Sequence, residues 1–260
     1  MQDKLIIFSA GVVMKLAQEI AEKWNGENPE CPAEVQAGGS VDLVRRVAMG
    51  EPCDLLLSAD DSIIETMLMP EICDGYYVFA GNRMVVAAMP GRSIDSGNWK
   101  GKLLAPEATF FHRDPYGDPG GYRAVMSMML ADYVEPGLAQ KLLDHPGHMG
   151  MVPGGNPAMV PDCDYIFTYH SGPASAGEPF ATLPAEMDLS DTALADIYAN
   201  ARFQVDENNV VIGTPIAHGM AIHKTSRHPE QAKAFARMFL QTDFAARYFI
   251  PKAIVVGKWE

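Results

Sequence analysis

A chain of 260 residues with 48% hydrophobic and 20% charged residues has the makeup of a folded globular protein, with room for one large domain or two smaller ones. Its formal net charge of −13 argues against binding nucleic acid or docking on anionic lipid, but leaves room for a small anion held by local dipoles. No apolar run reaches bilayer length, and Cys31, Cys53, Cys73 and Cys163 are scattered, with no CxxC pair to hold a metal. The four thiols fit either disulfides of an oxidising compartment or buried free thiols. Met1 leads straight into an apolar run with no basic segment or cleavage site, so the chain is either cytoplasmic or exported by a segment outside this sequence.

The first eighty residues read β-α-β-α-β-α. Residues 5–8 form an apolar strand ending in Ser9-Ala10-Gly11, which opens a helix with Val12, Leu16, Ile20 and Trp24 on one face. Residues 35–37 end in Gly38-Gly39-Ser40 and open a shorter helix with Val41, Val44 and Ala48 inward. A helix start carries unpaired N–H groups and partial positive charge, so two such junctions of small residues suit one oxyanion. The hydroxyls of Ser9 and Ser40 add donors without adding net charge, and both are expected to face the ligand rather than the core. Either serine alone reads rather as a helix N-cap; it is the pair, in this order, that turns the reading towards an anion site. Residues 53–58 make a third strand, and Asp60 and Asp61 then cap a helix containing Ile63, Ile64, Met67 and Leu68. This alternation implies a parallel sheet covered on both faces, with ligands bound beyond the carboxyl ends of its strands, where both serines lie.

Two further apolar stretches, 77–80 and 84–88, flank Gly81-Asn82-Arg83, and the second reads as a strand crossing to another domain. A strand near 108–111 precedes a polar loop over 112–121 and a helix with the stripe Tyr122, Val125, Met126, Met129, Leu130 and Tyr133. Residues 147–161, rich in glycine and proline, read as a surface loop; residues 164–169 read as a buried strand ending in a polar loop over 170–173. Residues 215–222 form a return strand, and Pro229 starts a helix with Ala232, Phe235, Ala236 and Phe239 on its inner face. The pattern is two α/β lobes joined by two crossovers with a cleft between them: lobe I from 1–84 plus 214–260, lobe II from 85–213.

In order and spacing these segments resemble the molybdate/tungstate-binding proteins of ABC importers. The likeness runs through Phe8-Ser9-Ala10, Gly39-Ser40-Val41 with Val44-Arg45, and Pro52-Cys53-Asp54 through Ser58-Ala59-Asp60. It continues in Gly81-Asn82-Arg83-Met84-Val85, Asp118-Pro119-Gly120-Gly121-Tyr122-Arg123, the stretch from Asp164 to Ser171, Leu183-Pro184 and the helix after Pro229. The resemblance implies a type II periplasmic-binding-protein fold that captures a tetrahedral oxyanion and delivers it to a membrane permease. It implies a monomer that is periplasmic or extracellular, membrane-associated at full length, and without a cofactor besides the bound molybdate or tungstate. The ligand-binding residues it implies are Ser9, Ala10 and Ser40 from the first lobe and Asp118, Pro119, Gly120, Thr168 and Tyr169 from the second. Asp118 is also the candidate direct ligand of molybdenum or tungsten. The family carries a glutamate before the tyrosine of the binding strand; here that position is Thr168, which has no carboxylate to expand the coordination of the metal.

Other readings stay open beside this one. Sulfate, phosphate or a small carboxylate suits the same donors. An enzyme would need a nucleophile–base pair or a metal, and the chain has no nucleophile elbow and no P-loop. His112, His170, His218 and His223 are not spaced as metal ligands on one element. Arg45-Arg46 reads as a solvated helix face or a permease contact. Arg123 reads as the partner of an acidic neighbour or an anchor of the cleft wall.

Overall fold

The computed structural model describes residues 3–153 and 159–259. In chain order the elements begin β1 (Leu5–Ala10), α1 (Gly11–Glu27), β2 (Ala33–Gly38), α2 (Ser40–Ala48), β3 (Leu55–Ser58), α3 (Ser62–Leu68) and β4 (Gly75–Gly81). There follow β5 (Met84–Ala88), α4 (Trp99–Leu103), β6 (Phe110–His112), α5 (Pro119–Met129), α6 (Leu138–Leu143), β7 (His148–Gly150), β8 (Tyr165–Tyr169), α7 (Ser171–Ala176) and β9 (Phe180–Thr182). The chain ends with α8 (Ala185–Asp188), α9 (Ala195–Tyr198), β10 (Arg202–Gln204), β11 (Val210–Ile212), β12 (Ala217–Ile222), α10 (Pro229–Leu240) and β13 (Ile250–Gly257).

Two compact units divide these elements. Unit 1 holds Met1–Ala80, Ala217–Ala246 and Ile250–Glu260; unit 2 holds Gly81–Ile216 and Arg247–Phe249. The chain therefore passes between units after residues 80 and 216, and again after 246 and 249, since Arg247–Phe249 belongs to unit 2. The first division falls at 80/81 rather than 84/85, because β5 pairs with β8 and β9 and so belongs wholly to unit 2.

Unit 1 is a six-stranded sheet in the order β13-β4-β12-β3-β1-β2. Strands β2, β1 and β3 run parallel, with Ser9 opposite Ala37 on one side and Leu57 on the other. The return strand β12 is antiparallel to β3, which makes the sheet mixed rather than all parallel. Leu5, Ile7 and Phe8 of β1 and Leu55 and Leu57 of β3 are fully buried, as expected for strands covered on both faces. Trp24 of α1 meets Phe235 of α10 edge-on at 5.8 Å, and Phe79 of β4 meets Phe239 at 5.1 Å, so the two long helices share one aromatic seam with the sheet. The inner face Ala232, Phe235, Ala236 and Phe239 is buried as the spacing predicts. Asp54 stands outside β3, contrary to the strand expected over 53–58. Its carboxylate accepts the Ile6 N–H at 2.8 Å and the Ser226 hydroxyl at 2.6 Å, so the residue serves as a polar staple.

Helix faces deviate from the simplest reading. In α1 the buried residues are Val13, Leu16, Ala17, Ala21 and Trp24, while Val12 and Ile20 are half-buried, so the stripe also uses the three-residue spacing. In α2 Ala48 is exposed, and Leu43 and Val47 point inward instead. Leu43 lies over Gly38, where a Cβ would come within 3.0 Å of its Cδ2. Arg46 is half-buried and partnered: it pairs with Glu51, donates to Gln36 Oε1 at 2.8 Å, and sits 4.3 Å over the Phe8 ring.

Unit 2 is a five-stranded sheet in the order β7-β6-β8-β5-β9, with the hairpin β10-β11 beside it. Helix α5 is buried over residues 119–128 rather than along one stripe, because β5, β6, β8, β10, α6 and α8 all pack on it. The expected stripe also runs past the helix, whose end at Met129 is followed by a 3-10 turn, Leu130–Tyr133, with Tyr133 50% exposed. Part of the loop expected over 147–161 is strand β7, which pairs in parallel with β6; residues 154–158 of that expectation lie outside the described residues. The polar loop expected after β8 is helix α7. Asn82 holds its start, donating to Ser171 Oγ at 2.9 Å.

Candidate functional site

The parallel order β2-β1-β3 brings three strand ends side by side in unit 1. Ser9 and Ala10 close β1, Gly39 and Ser40 follow β2, and Ser58 closes β3 with Ala59 after it. Neither Ser9 nor Ser40 is an N-cap. Ser9 is still in β1, the N-cap of α1 is Ala10, and the N-cap of α2 is Gly39. Both serines are fully buried. Among the described residues the Ser9 hydroxyl donates only to the adjacent Ala10 carbonyl at 3.2 Å, a long local bond. Ser40 Oγ accepts the Ala59 N–H at 2.9 Å, and its own proton has no acceptor among the described residues. The Ser40 hydroxyl thus faces both the core and the strand ends, which corrects the expectation that it faces a ligand alone.

The turn from β3 to α3 is built from side-chain bonds. Ser58 Oγ donates to the Asp60 carbonyl at 2.7 Å and accepts the Asp60 N–H at 3.2 Å. Asp60 Oδ1 accepts from the backbone N–H and the hydroxyl of Ser62, so Asp60 does the capping expected of both aspartates; Asp61 makes no side-chain cap bond. His218 of β12 is fully buried and donates from Nδ1 to the Ala59 carbonyl at 2.8 Å.

In unit 2, Asp118 is the N-cap of α5 and Pro119 its first helical residue. Asp118 Oδ1 accepts the Gly120 N–H at 2.8 Å. Gly120 and Tyr169 are neighbours, since a Cβ at Gly120 would lie 3.6 Å from Tyr169 Cε2 and 3.3 Å from Asp118 Oδ1. Gly121 is required sterically: its Cβ would meet the Arg113 carbonyl oxygen at 2.4 Å. Asp118, Pro119, Gly120 and Tyr169 therefore gather at the start of α5. Thr168, half-buried, precedes Tyr169 on β8 and lies opposite Val85. Arg123 is fully buried on α5 and donates to the Thr214 carbonyl at 3.0 Å and the Thr214 hydroxyl at 3.1 Å, which makes it an internal anchor.

The histidines are spread over both units. His112 is buried beside His148, with ring centroids 5.1 Å apart; burial chiefly lowers its pKa, opposed by the Arg113 carbonyl. Burial likewise lowers the pKa of His170, opposed by the Tyr248 carbonyl. Among the described residues no three His, Cys, Asp or Glu side chains are grouped to hold a metal. All four cysteines are buried free thiols, and desolvation pushes Cys53 up to about 12 and Cys73 up to about 11. A cavity of about 110 Å³ lies instead at the opposite ends of β1 and β3, lined by Asp3, Asp54, His223 and His228 among others. No helix among the described residues is long and apolar enough to cross a membrane.

Sequence reasoning missed the Ser58–Ala59–His218 group as part of this arrangement. Ser58-Ala59-Asp60 was visible as a matched stretch, but the link to His218 spans 159 positions and leaves no local pattern.

Comparisons with known proteins agree with this architecture. A solute-binding protein of Petrotoga mobilis is 30% identical over 253 residues, covering 91% of this chain and 79% of the relative. A protein of Pyrococcus abyssi described as a molybdate/tungstate-binding protein is 28% identical over 281 residues, covering 91% of this chain and 80% of that one. Among solved structures, the periplasmic molybdate-binding protein of Azotobacter vinelandii superposes with a TM-score of 0.68 at 14% identity, over 95% of this chain and 99% of its own. That likeness shows the two-lobed fold of the periplasmic binding proteins. The family model of the bacterial extracellular solute-binding proteins matches residues 5–249, from the first residue of β1 to the last residue before β13, and the chain belongs to that family.

Proposed function

We propose that this chain captures molybdate or tungstate outside the cytoplasm and delivers it to the permease of an ABC importer. The observation that carries the reading is the set of neutral donors at the strand ends of unit 1. Among the described residues the Ser40 proton has no acceptor, and the first turns of α1 and α2 present backbone N–H groups without intrahelical partners. A dianion taken out of water needs several converging hydrogen bonds, each contributing about 1.5–3 kcal/mol when the partner is charged. Ser9, Ala10 and Ser40 are the candidate donors of unit 1; Thr168 and Tyr169 are those of unit 2, where the Gly120 N–H is already given to Asp118 Oδ1 and Pro119 fixes the backbone at the helix start. The Pyrococcus abyssi relative supports the choice of metalate.

Asp118 enters this reading mainly as the residue that shapes the start of α5, and secondarily as the single carboxylate available to the metal centre. With a hydroxyl at Thr168, the bound metalate is expected to be tetrahedral or at most five-coordinate. A thermal-shift series with molybdate, tungstate, sulfate and phosphate tests the proposal. A ligand at a hundredfold excess over its Kd adds about 2.7 kcal/mol of stability, so the two metalates should raise Tm at concentrations where sulfate and phosphate do not. Stabilisation by sulfate or phosphate alone would assign the site to a different anion.

A further inference from the structure

His218 has the chemistry of a metal ligand, but the structure gives it another task. A carbonyl oxygen can only accept, so the 2.8 Å approach of Nδ1 to the Ala59 carbonyl fixes the proton on Nδ1. The same residue, Ala59, gives its N–H to Ser40 Oγ at 2.9 Å. Ala59 is therefore held on both sides, by His218 of β12 through its carbonyl and by Ser40 of α2 through its N–H. A second tie runs alongside, from the Asp61 N–H to the Ala217 carbonyl at 3.0 Å. His218 and Ser40 are fully buried and Ala59 is 3% exposed, so no water competes for these bonds.

We infer that His218 is a positioning residue for the Ser40 hydroxyl. By holding the Ala59 backbone it directs the Ala59 N–H onto one lone pair of Ser40 Oγ. The hydroxyl rotor is thereby restricted, and its proton, which has no acceptor among the described residues, is kept off the Ala59 side. A fixed donor suits an oxyanion whose oxygens are unprotonated, because such oxygens only accept. The inference rests on the oxyanion reading of the Ser9–Ser40 strand ends and assigns a new role within it.

The test uses three substitutions of the whole chain and two readouts. His218→Asn keeps an N–H donor near the place of Nδ1; His218→Phe fills the space beside Phe79 without a donor; His218→Gln moves the donor one methylene outward. Amide exchange at Ala59, measured without ligand, should accelerate roughly tenfold in the Phe and Gln variants and stay near wild type in the Asn variant, the loss of one buried hydrogen bond. Titration with sodium tungstate should show affinity falling roughly three- to tenfold in the Phe and Gln variants and recovering in the Asn variant. In a Ser40→Ala background the same changes should cost no further affinity, since His218 acts through Ser40. Unchanged exchange at Ala59, or equal affinity losses with and without Ser40, would overturn the role of His218 while leaving oxyanion binding intact. No tungstate binding by the wild-type chain would instead overturn the reading of the site, and the inference with it.

Discussion

Replacing Ser40 by alanine should destabilise the unliganded protein, and the size of the loss follows from one bond. Ser40 Oγ is the acceptor of the Ala59 N–H at 2.9 Å, and both residues are buried. Alanine removes the acceptor and leaves the buried Ala59 backbone donor without its partner. The penalty for such an orphaned buried donor is about 1–3 kcal/mol. For a chain of this size each kcal/mol shifts Tm by roughly 2–4 °C, so the variant should melt roughly 2–12 °C below wild type. Urea denaturation of the apo protein gives the free energy directly, provided that m is unchanged. Ser9→Ala is the internal control, because Ser9 makes only the 3.2 Å bond to its neighbouring carbonyl; its stability should stay within about 0.5 kcal/mol of wild type. Equal stability of Ser40→Ala and wild type would refute the reasoning, since the Ala59 N–H would then have another partner or no need of one.

The buried thiols should be silent to alkylating reagents at pH 7–8 in the native protein and should all react after unfolding, because burial raises the pKa of each of the four; labelling of any one in the folded chain contradicts this. Stability should fall as pH drops below the ordinary histidine value of 6.5: His112 has a lowered folded pKa, so the unfolded chain takes up its proton first. His112→Phe should flatten part of that acid limb between pH 6.5 and 5, the rest belonging to His170 and His223, and an unchanged limb would show that His112 titrates normally. X-ray absorption on metalate-loaded protein should show four or five oxygen neighbours, and Thr168→Glu should raise the number; a six-coordinate wild-type spectrum would reveal a second carboxylate at the metal.

The fold was legible in the sequence wherever local pattern and packing agree. The strand–helix alternation of residues 5–68, the helix opened by Pro229 and the apolar strand before His170 each follow from short-range periodicity and capping. Two kinds of feature were not legible. Residues 148–150 form an edge strand paired with β6, and His-Met-Gly has no alternation to announce it. Helix α5 shows a stripe in its sequence because its small residues, Gly120, Gly121, Ala124 and Ser127, read as a polar face. In the structure those positions admit close neighbours on every side. The places of Ser9, Ser40 and Asp118 at strand–helix junctions and a helix start were legible in the sequence. What the sequence could not show was the sharing of Ser40 between a core bond and a free proton. That depends on Ala59, whose approach to α2 is a product of strand order.

The central claim is that Ser9 and Ser40 hold a metalate. Tungsten scatters anomalously, so crystals of the chain grown with equimolar tungstate test it directly. The account predicts one strong anomalous peak per chain, with metalate oxygens within hydrogen-bonding distance of Ser9 Oγ and Ser40 Oγ, and its loss in a Ser9→Ala, Ser40→Ala double variant. A peak elsewhere, such as in the cavity lined by Asp54, His223 and His228, or full occupancy in the double variant, would contradict it.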